Sequence, residues 1–324
     1  MASTSSRLNR LANENKETGL SVNSKQSGGR FFQKDGSPNV RFRGISYMER
    51  FSVFQYMLKL PSWKFISLIA VAYIIVNLFF AFVYFIVGVH HLGGIEETTI
   101  AGKFWEAFFF STQTLSTVGY GHVFPDSLTS NTIAAIESFT GILMLALATG
   151  LIYGRFSQPK AYIKYSSIAL FTPFKDGYAL MFRFAPFKEH FLTDVEVKVT
   201  CVMRYTENEM ERKNAFYSLD LELAKANTLT SNWTIVHSIN EKSPFYQLTR
   251  KEITDAETEI LVFVKGYDEE YANTVVSRTS FTYEEFIYGA KFNMMFEPSE
   301  DKTTTILHMD KIDSYHEEKL PVSI

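Results

Sequence analysis

The chain has 324 residues, with 32 Lys and Arg against 35 Asp and Glu, so its formal net charge is −3. This near-balance argues against a nucleic-acid-binding protein, which usually carries a basic excess. The two halves differ, because residues 1–164 carry 15 basic and 9 acidic side chains and residues 165–324 carry 17 and 26. The single cysteine, Cys201, excludes an intrachain disulfide framework and a zinc site made of cysteines alone.

The first segment, residues 1–40, is rich in Ser, Asn, Lys and Gly. Its few apolar side chains cannot offset the entropy lost on ordering, so we expect a flexible tail. Residues 41–64 then show apolar side chains at steps of four, three and four, which predicts an amphipathic helix on the inner membrane surface, with a short core helix as the alternative. The apolar positions are Tyr47, Phe51, Phe54 and Leu58. Pro61 is expected to end this helix.

Two segments are long and apolar enough to cross a bilayer, and together they bound a pore domain over residues 65–158. Phe65–Val89 is a run of 25 residues without a charged side chain, enough to cross a hydrocarbon layer of ~30 Å. Asn131–Gly154 is the second, and its one charge is Glu137. Five Lys and Arg residues within 41–64 precede the first span and three within 155–164 follow the second, whereas Lys103 alone lies between them. The positive-inside bias therefore places both termini in the cytoplasm. We therefore expect a multi-pass protein of the cell membrane.

The loop between the spans contains an apolar segment, Lys103–Thr114. Twelve residues are too few to cross a membrane, but they suit a re-entrant helix that dips about halfway. Leu115 and Ser116 follow, and then the pentapeptide Thr117–Gly121, with the sequence TVGYG. Non-helical backbone at membrane depth is tolerated only where it packs against protein or lines a wet pore.

The pentapeptide can coordinate K⁺ through its backbone, because successive carbonyl oxygens that point the same way replace the water shell of the ion. Gly119 and Gly121 permit the backbone angles that this needs. Thr117 adds a hydroxyl group. Val118 and Tyr120 are expected to point away and pack against the short helix. Four such strands around one ion path require a homotetramer. The alternative, a glycine turn in an outer loop, is disfavoured by the position between two spans.

Beyond residue 158 the apolar residues alternate with a period of two, which is typical of strands. The candidate strands are Tyr178–Phe184, Asp194–Tyr205, Trp233–Ile239 and Glu259–Lys265. Several short strands within ~140 residues predict an antiparallel, immunoglobulin-like β-sandwich in the cytoplasm over residues 159–297. Residues 298–324 are polar and are expected to form a C-terminal tail that is mobile at its end.

This order of elements resembles the inward-rectifier potassium channels, and the prokaryotic branch most closely. The segments that carry the resemblance are Phe109–Gly121, Gly150–Pro159, Trp233–Phe245 and Glu285–Phe292. The last two lie in the β domain and separate the chain from two-span potassium channels with a dinucleotide-type regulatory domain, for which the glycine motif is absent from the sequence. The resemblance implies passive conduction of K⁺ by a homotetramer, without enzymatic activity and with no cofactor besides the permeant ion.

The resemblance also implies a gate in the second span. Tyr153, six residues before Pro159, matches an aromatic gate at the helix crossing, and Thr149 and Leu145 lie one and two turns away. Leu145 stands where strongly rectifying relatives place an acid that helps hold Mg²⁺ or polyamines. Leucine cannot do so, which predicts weak rectification and leaves block by these cations open. Ordinary helix packing is the alternative for each of the three residues.

Four further residues are candidates for supporting or lining the ion path. An ionisable residue inside a span is functional by default, so we expect Glu137 to lie behind the filter as a hydrogen-bonded brace, with a source of negative potential as the alternative. Gln113 stands where animal relatives often carry a Glu that supports the filter through an ion pair, so neutral hydrogen bonds must serve here. Asp194 and Glu285 resemble acidic pore-lining sites of the family, and a solvated acidic surface is the alternative.

Lys64, Arg155 and Lys160 lie beside the spans at the predicted inner face. Each such charge is attracted to anionic lipid by about 1 kcal/mol. The family is regulated by lipids, so the resemblance implies a headgroup site, and positive-inside anchoring alone is the alternative.

Two other functions are the alternatives to a potassium channel. A membrane-anchored enzyme or binding module would need a nucleophile–base set or a phosphate-binding glycine loop in residues 160–300, and the sequence offers neither. A channel without ion selectivity is the other rival, and ion uptake separates it from a K⁺ channel.

Overall fold

The computed structural model describes residues 12–14, 29–46, 52–188, 191–208 and 211–321. The chain divides into two compact units. Residues 43–158 form the first, which we call the pore unit. Residues 159–321 and the described residues before 43 form the second, which we call the β unit.

The described residues of the pore unit form four α-helices. They are α1 (Val53–Lys59), α2 (Ser62–Val87), α3 (Ile100–Leu115) and α4 (Leu128–Phe156). With 26 and 29 residues, α2 and α4 are long and apolar enough to cross a membrane, since they measure ~39 and ~44 Å at 1.5 Å per residue. Two short strands, β1 (Leu92–Gly93) and β2 (Phe124–Pro125), pair between the spans. The two predicted spans and the short helix between them are confirmed.

Local sequence explains where these helices begin and end. Ser127 and Ser130 cap the start of α4 reciprocally, and the Thr99 hydroxyl caps α3. Gly88, with a φ of 113°, ends α2 in a conformation that other residues resist. Pro61 directly precedes α2, so it separates this helix from α1.

The amphipathic helix predicted before the first span is present as α1. Two of its four predicted apolar positions, Tyr47 and Phe51, lie outside the described residues. The other two, Phe54 and Leu58, lie against Gly154 near the end of α4.

The β unit is a sandwich of two five-stranded sheets. Its strands up to residue 218 are β3 (Ile163–Tyr165), β4 (Ala169–Phe174), β5 (Gly177–Pro186), β6 (Leu192–Asn208) and β7 (Glu211–Ser218). The strands that follow are β8 (Lys225–Leu229), β9 (Trp233–Ser238), β10 (Glu259–Asp268), β11 (Asn273–Thr282) and β12 (Phe286–Tyr288). A short helix, α5 (Arg250–Asp255), lies between β9 and β10. The predicted sandwich is confirmed, and each candidate strand falls on β5, β6, β9 or β10.

In one sheet the strand order is β11-β10-β6-β7, with β8 also paired to β6. In the other it is β12-β4-β5-β3, with β9 also paired to β5. The pairs are antiparallel except for β12 with β4. The core between the sheets contains residues of both, such as Phe171 and Phe182 from one and Val199 and Ile260 from the other. Alternation along each strand supplies these inward-facing side chains.

The predicted flexible tail is wrong for residues 29–39, which we call the N-terminal strap. Phe31 and Phe32 pack against a buried apolar cluster that includes Phe216. The Phe31 amide donates to both carboxylate oxygens of Glu259, at 3.0 and 2.8 Å. Burial raises the pKa of Glu259 above its ordinary value, although these amide bonds oppose the shift. The composition of residues 1–40 does not reveal the strap, because the residues that bind it lie far away in the sequence.

The predicted C-terminal tail is likewise folded over residues 305–321, which we call the C-terminal segment. Its strands β15 (Thr305–Leu307) and β16 (Tyr315–Glu317) pair with β14 (Phe296–Pro298) and β13 (Ala290–Phe292), respectively. The buried guanidinium of Arg183 donates to the carbonyl oxygens of Ile312, at 2.8 Å, and Asn293, at 2.7 Å. The side chain of Arg183 binds main-chain carbonyl oxygens here. The polar side chains of the segment therefore did not indicate that it is folded.

Candidate functional site

The pentapeptide after α3 is tied to the last turn of that helix. The amide of Val118 donates to the Gln113 carbonyl oxygen at 2.9 Å, and the Gly119 amide approaches the same oxygen at 3.3 Å. The Thr117 amide donates to the Thr114 carbonyl at 3.1 Å. Gln113, which was predicted to support this segment, therefore contacts it through its backbone.

The backbone of Thr117–Gly121 alternates in conformation. The φ angle is positive at Thr117 (60°), Gly119 (54°) and Gly121 (82°), and it is not positive at the two residues between them. In an ordinary strand successive carbonyls point to opposite sides. Alternation of left-handed and right-handed conformations is the backbone pattern that turns successive peptide planes the same way. Glycine adopts such angles readily, whereas threonine does so only under strain.

Open space surrounds this segment in the single chain. A side-chain carbon added at Gly119 or Gly121 would meet none of the described atoms within 4 Å, so backbone angle rather than crowding accounts for glycine there. Val118 and Tyr120 are 54% and 80% exposed. In the single chain both side chains are therefore largely uncovered.

Three helices of the pore unit meet at Glu137. This α4 side chain is fully buried. It accepts a hydrogen bond from the Tyr84 hydroxyl on α2 at 2.7 Å and another from Ser111 on α3. The Ser111 hydroxyl also lies 3.2 Å from the Asn77 carbonyl oxygen on α2. The sequence pointed to Glu137 but not to its partners, although polar Asn77 in the middle of an apolar span was an available signal.

A glycine lets α4 approach the end of α3. Any side chain at Gly141 would collide with the carbonyl oxygen of Leu115, the last residue of α3. The Tyr73 hydroxyl of α2 donates to the Thr112 carbonyl on α3 at 3.3 Å. These contacts and the carboxyl group of Glu137 fix α3, and thus the pentapeptide behind it, between α2 and α4.

The three gate candidates share one face of α4. Leu145, Thr149 and Tyr153 are spaced by four residues, which places them in line along the helix. All three are exposed in the single chain, Leu145 to 70% and Tyr153 to 73%. This face of α4 therefore does not pack against the other helices of its own chain.

The structure separates the two acids predicted for the cytoplasmic ion path. Asp194 is exposed near the start of β6, opposite the far end of β10, whereas Glu285 follows β11 beside the first residue of β10. About six residues along β10 separate them, which is ~20 Å. Glu285 also lies 3.3 Å from Arg30 and 3.0 Å from Lys34 of the N-terminal strap. Its charge is therefore compensated within the β unit. Burial lowers the pKa of Lys34, although Glu285 opposes that shift.

Two of the three candidate lipid contacts belong to the pore unit. Arg155, in the last turn of α4, donates to the Ser62 hydroxyl at the start of α2 at 3.2 Å. Its guanidinium lies 5.3 Å from the ring centre of Phe65. Lys64 occupies the same first turn of α2. Lys160 belongs to the β unit, where it is exposed.

Comparison with known proteins identifies the family. A model of the inward rectifier potassium channel C-terminal domain matches residues 163–322, and an ion channel model matches residues 68–158. The inward rectifier potassium channel Kirbac3.1 of Paramagnetospirillum magnetotacticum is 31% identical over 268 residues, which is 82% of this chain and 89% of that protein. The chain belongs to the inward rectifier potassium channel family.

Animal members are more distant. G protein-activated inward rectifier potassium channel 4 of Bos taurus is 26% identical over 288 residues, covering 81% of this chain and 67% of that protein. Channel 2 of Homo sapiens is 26% identical over 287 residues, with the same coverage. The predicted family is confirmed, and with it a membrane potassium channel rather than an enzyme.

Proposed function

We propose that four copies of this chain form a K⁺-selective channel whose selectivity filter is Thr117–Gly121. The observation that carries the proposal is the alternating sign of φ along this segment, from which we infer that its carbonyl oxygens face one side. A ring of such oxygens from four chains replaces the hydration shell of K⁺. Thr117 adds its hydroxyl group at the inner end of the filter.

Two exposed surfaces support the homotetramer. Val118 and Tyr120 leave the flanks of the filter uncovered, and the face of α4 that carries Leu145 and Tyr153 is also bare. In a membrane the first surface needs protein around it, because irregular backbone is not tolerated in contact with lipid. Fourfold assembly gives each filter strand neighbours and turns the bare face of α4 toward a common axis.

That face of α4 forms the gate in this proposal. Rings of apolar side chains from Leu145 and Tyr153 narrow the path and close it by excluding water. The Thr149 hydroxyl donates to the Leu145 carbonyl at 2.8 Å, so it does not interrupt the apolar lining. Without an acid at these positions, Mg²⁺ and polyamines bind weakly, and rectification is weak. Movement of the cytoplasmic β domain drives the gate.

Glu137 and Gln113 stabilise the filter from behind. The carboxyl group of Glu137 joins α2, α3 and α4, and the Gln113 carbonyl oxygen accepts hydrogen bonds from the amides of Val118 and Gly119. Since α3 ends at the filter, its negative C-terminal end also favours a cation in the space below.

An anionic lipid headgroup binds at the start of α2. The first amides of α2 have no intrahelical partner, and a helix N-terminus attracts anions. Among the described residues, Nη1 of Arg155 has no hydrogen-bond partner although it is buried. Lys64 adds a second positive charge to the same turn, and Lys160 follows soon after α4 in sequence. Both termini are cytoplasmic in this arrangement, which places these cations at the inner leaflet.

In the cytoplasmic ion path, Asp194 is the acid that attracts cations. Glu285 contributes little while the N-terminal strap is docked, because Arg30 and Lys34 compensate its charge. The weaker acidic lining agrees with weak rectification.

Uptake of ⁸⁶Rb⁺ and ²²Na⁺ into vesicles that contain the purified chain tests this function. We expect Rb⁺ uptake to exceed Na⁺ uptake, and Gly119→Ala to abolish the difference while the tetramer remains folded, because alanine resists a φ of 54°. Gly177→Ala is the matched control, since that glycine also has open space around it but no positive φ. Equal uptake of both ions by the unsubstituted chain would indicate a non-selective channel and refute the filter assignment.

A further inference from the structure

Four buried polar side chains meet where α2, α3 and α4 contact one another in the pore unit. They are Asn77 and Tyr84 on α2, Ser111 on α3 and Glu137 on α4. Each is at most 2% exposed in the single chain, so their contacts do not depend on lipid or on further copies of the chain. The hydrogen bonds among these four groups must therefore balance internally.

The Ser111 hydroxyl group has one proton to donate, but three oxygen atoms lie within its reach. One is a carboxyl oxygen of Glu137, and the other two, at 3.2 Å each, are the main-chain carbonyl oxygen and Oδ1 of Asn77. The main-chain oxygen lies inside α2, where the helix supplies its own donor. Among the described residues, Oδ1 of Asn77 has no donor other than Ser111. If Ser111 donates to Glu137, that buried oxygen is left without a hydrogen bond, which is costly.

The amide group of Asn77 is fixed with its oxygen toward Ser111. Its Nδ2 atom donates to the Tyr73 carbonyl oxygen, one turn earlier on α2, at 2.7 Å. Rotating the amide by half a turn would place Oδ1 against that carbonyl oxygen, so the two acceptors would repel each other. Asn77 therefore presents an acceptor to Ser111, and not a donor.

Glu137 has no cation beside it. In the described part of the chain its hydrogen-bond partners are the neutral hydroxyl groups of Tyr84 and Ser111. The cations on the three helices lie ~12–27 Å away along the helix axes, at Lys64, Lys103 and Arg155. The one other acid on these helices, Glu106, faces the amides of Glu96 and Glu97 in the loop between the spans. A buried carboxylate without a cation is strongly disfavoured, and such a group retains its proton instead.

We propose that Glu137 is a neutral carboxylic acid that donates its proton to Ser111, while Ser111 donates to Oδ1 of Asn77. The hydrogen bonds then run in one direction, from Tyr84 through Glu137 and Ser111 to Asn77. The contact between Glu137 and Ser111 is unchanged, because the positions of two oxygen atoms do not fix which of them carries the proton. Every hydroxyl and carboxyl proton of the four groups then has an acceptor.

Asn77 and Ser111 are positioning residues in this arrangement. They hold the proton on Glu137 and connect α2 to α3, which ends at the proposed filter. The inference rests on the proposed role of Glu137 behind that filter and adds its charge state. A neutral group stabilises the helices without a negative potential of its own, so attraction of K⁺ depends on the carbonyl oxygens of the filter and the C-terminal end of α3.

Infrared spectroscopy of the purified full chain in vesicles at neutral pH tests the proposal. A carboxylic acid has a C=O stretching band that a carboxylate lacks. We expect this band in the difference between the spectra of the unsubstituted chain and Glu137→Gln. Glu97→Gln is the matched control, since Glu97 is exposed and a solvated glutamate is ionised at neutral pH; its difference spectrum should lack the band. Absence of the band for Glu137 would overturn the proposal.

Tyr84→Phe tests the direction of the hydrogen bonds while Glu137 stays in place. It removes the donor to Oε2 of Glu137, which is the carbonyl oxygen of the acid in this arrangement, so the band should move to higher frequency. Tyr73→Phe, in the same helix, removes a hydroxyl group that binds the Thr112 carbonyl instead and should leave the band in place. A band that both variants shift equally, or that neither shifts, would contradict the proposed order of donors.

The readout is a vibrational band and does not require ion flux. Equal uptake of Rb⁺ and Na⁺ would refute the filter assignment, and a carboxylic acid band from Glu137 would still support this inference. Selective uptake without that band would refute this inference and leave the filter assignment intact.

Discussion

Replacing Tyr84 by phenylalanine tests whether Glu137 holds the helices of the pore unit together. The change removes the hydroxyl that donates to Glu137 at 2.7 Å and retains the ring, whose centre lies 5.1 Å from that of Phe110. Glu137 is fully buried, so water cannot replace the lost donor. A hydrogen bond of this kind contributes about 1.5 kcal/mol, where the ranges for neutral and charged partners meet. We expect Tyr84→Phe to lower the free energy of unfolding by that amount.

Tyr73→Phe provides a control in the same helix. Its hydroxyl donates to a main-chain carbonyl, that of Thr112, at the longer distance of 3.3 Å. Hydrogen bonds between membrane helices contribute about 0.6 kcal/mol on average. The two variants should therefore differ by about 1 kcal/mol, which is roughly a fivefold difference in the unfolding equilibrium constant.

Unfolding of the purified protein in mixed micelles, followed by the fluorescence of its three tryptophans, measures both changes. Tyr84→Phe should also lower the ratio of Rb⁺ to Na⁺ uptake, because a loosened α3 no longer fixes the filter. If Tyr84→Phe costs no more stability than Tyr73→Phe, the carboxyl group of Glu137 is not the brace that we propose.

Three further predictions concern the gate, the N-terminal strap and the C-terminal segment. Leu145→Asp should increase block of outward current by spermine about tenfold, because a ring of acids binds polyamines. The neutral variant Leu145→Asn should not increase it. Equal block in the two variants would exclude this position from the pore. Glu259→Gln should speed tryptic cleavage within the strap, because the amide of Phe31 loses a charged acceptor. Glu284→Gln, at an exposed position, should leave the rate of cleavage unchanged. Arg183→Ala should cost about 3 kcal/mol, since several buried carbonyls lose their donor; denaturant unfolding that shows no loss would contradict this.

Sequence patterns predicted those parts of the structure that depend on neighbours in the chain. Both spans, the short helix before the filter and the strands of the sandwich follow from apolar periodicity, which local sequence displays directly. Glu137 was found for the same reason, because a charge is conspicuous in an apolar span. Tyr84 and Ser111 were missed, since a tyrosine or serine in such a helix is unremarkable until its partner is known.

The two ends of the β unit show what local sequence cannot predict. The N-terminal strap is bound by Glu259, more than two hundred residues away. Nothing in the composition of the strap indicates that this acceptor exists. Glu285 was assigned to the ion path from its position in a family segment, but Arg30 and Lys34 of the strap compensate its charge. The sequence around Glu285 could not show these partners, because they lie on a segment about 250 residues away.

Thr117 combines backbone strain with the coordinating role that we propose for it. Glycine marked two of the three positions with positive φ, but the third is a threonine with a φ of 60°, which costs about 1–3 kcal/mol. The conformation persists because the amides of Thr117 and Val118 both donate to the last turn of α3. A glycine there would relieve the strain but remove the hydroxyl that we assign to ion coordination. The threonine therefore fits the coordinating role that we propose, and hydrogen bonds to α3, which Glu137 contacts through Ser111, hold the strained conformation.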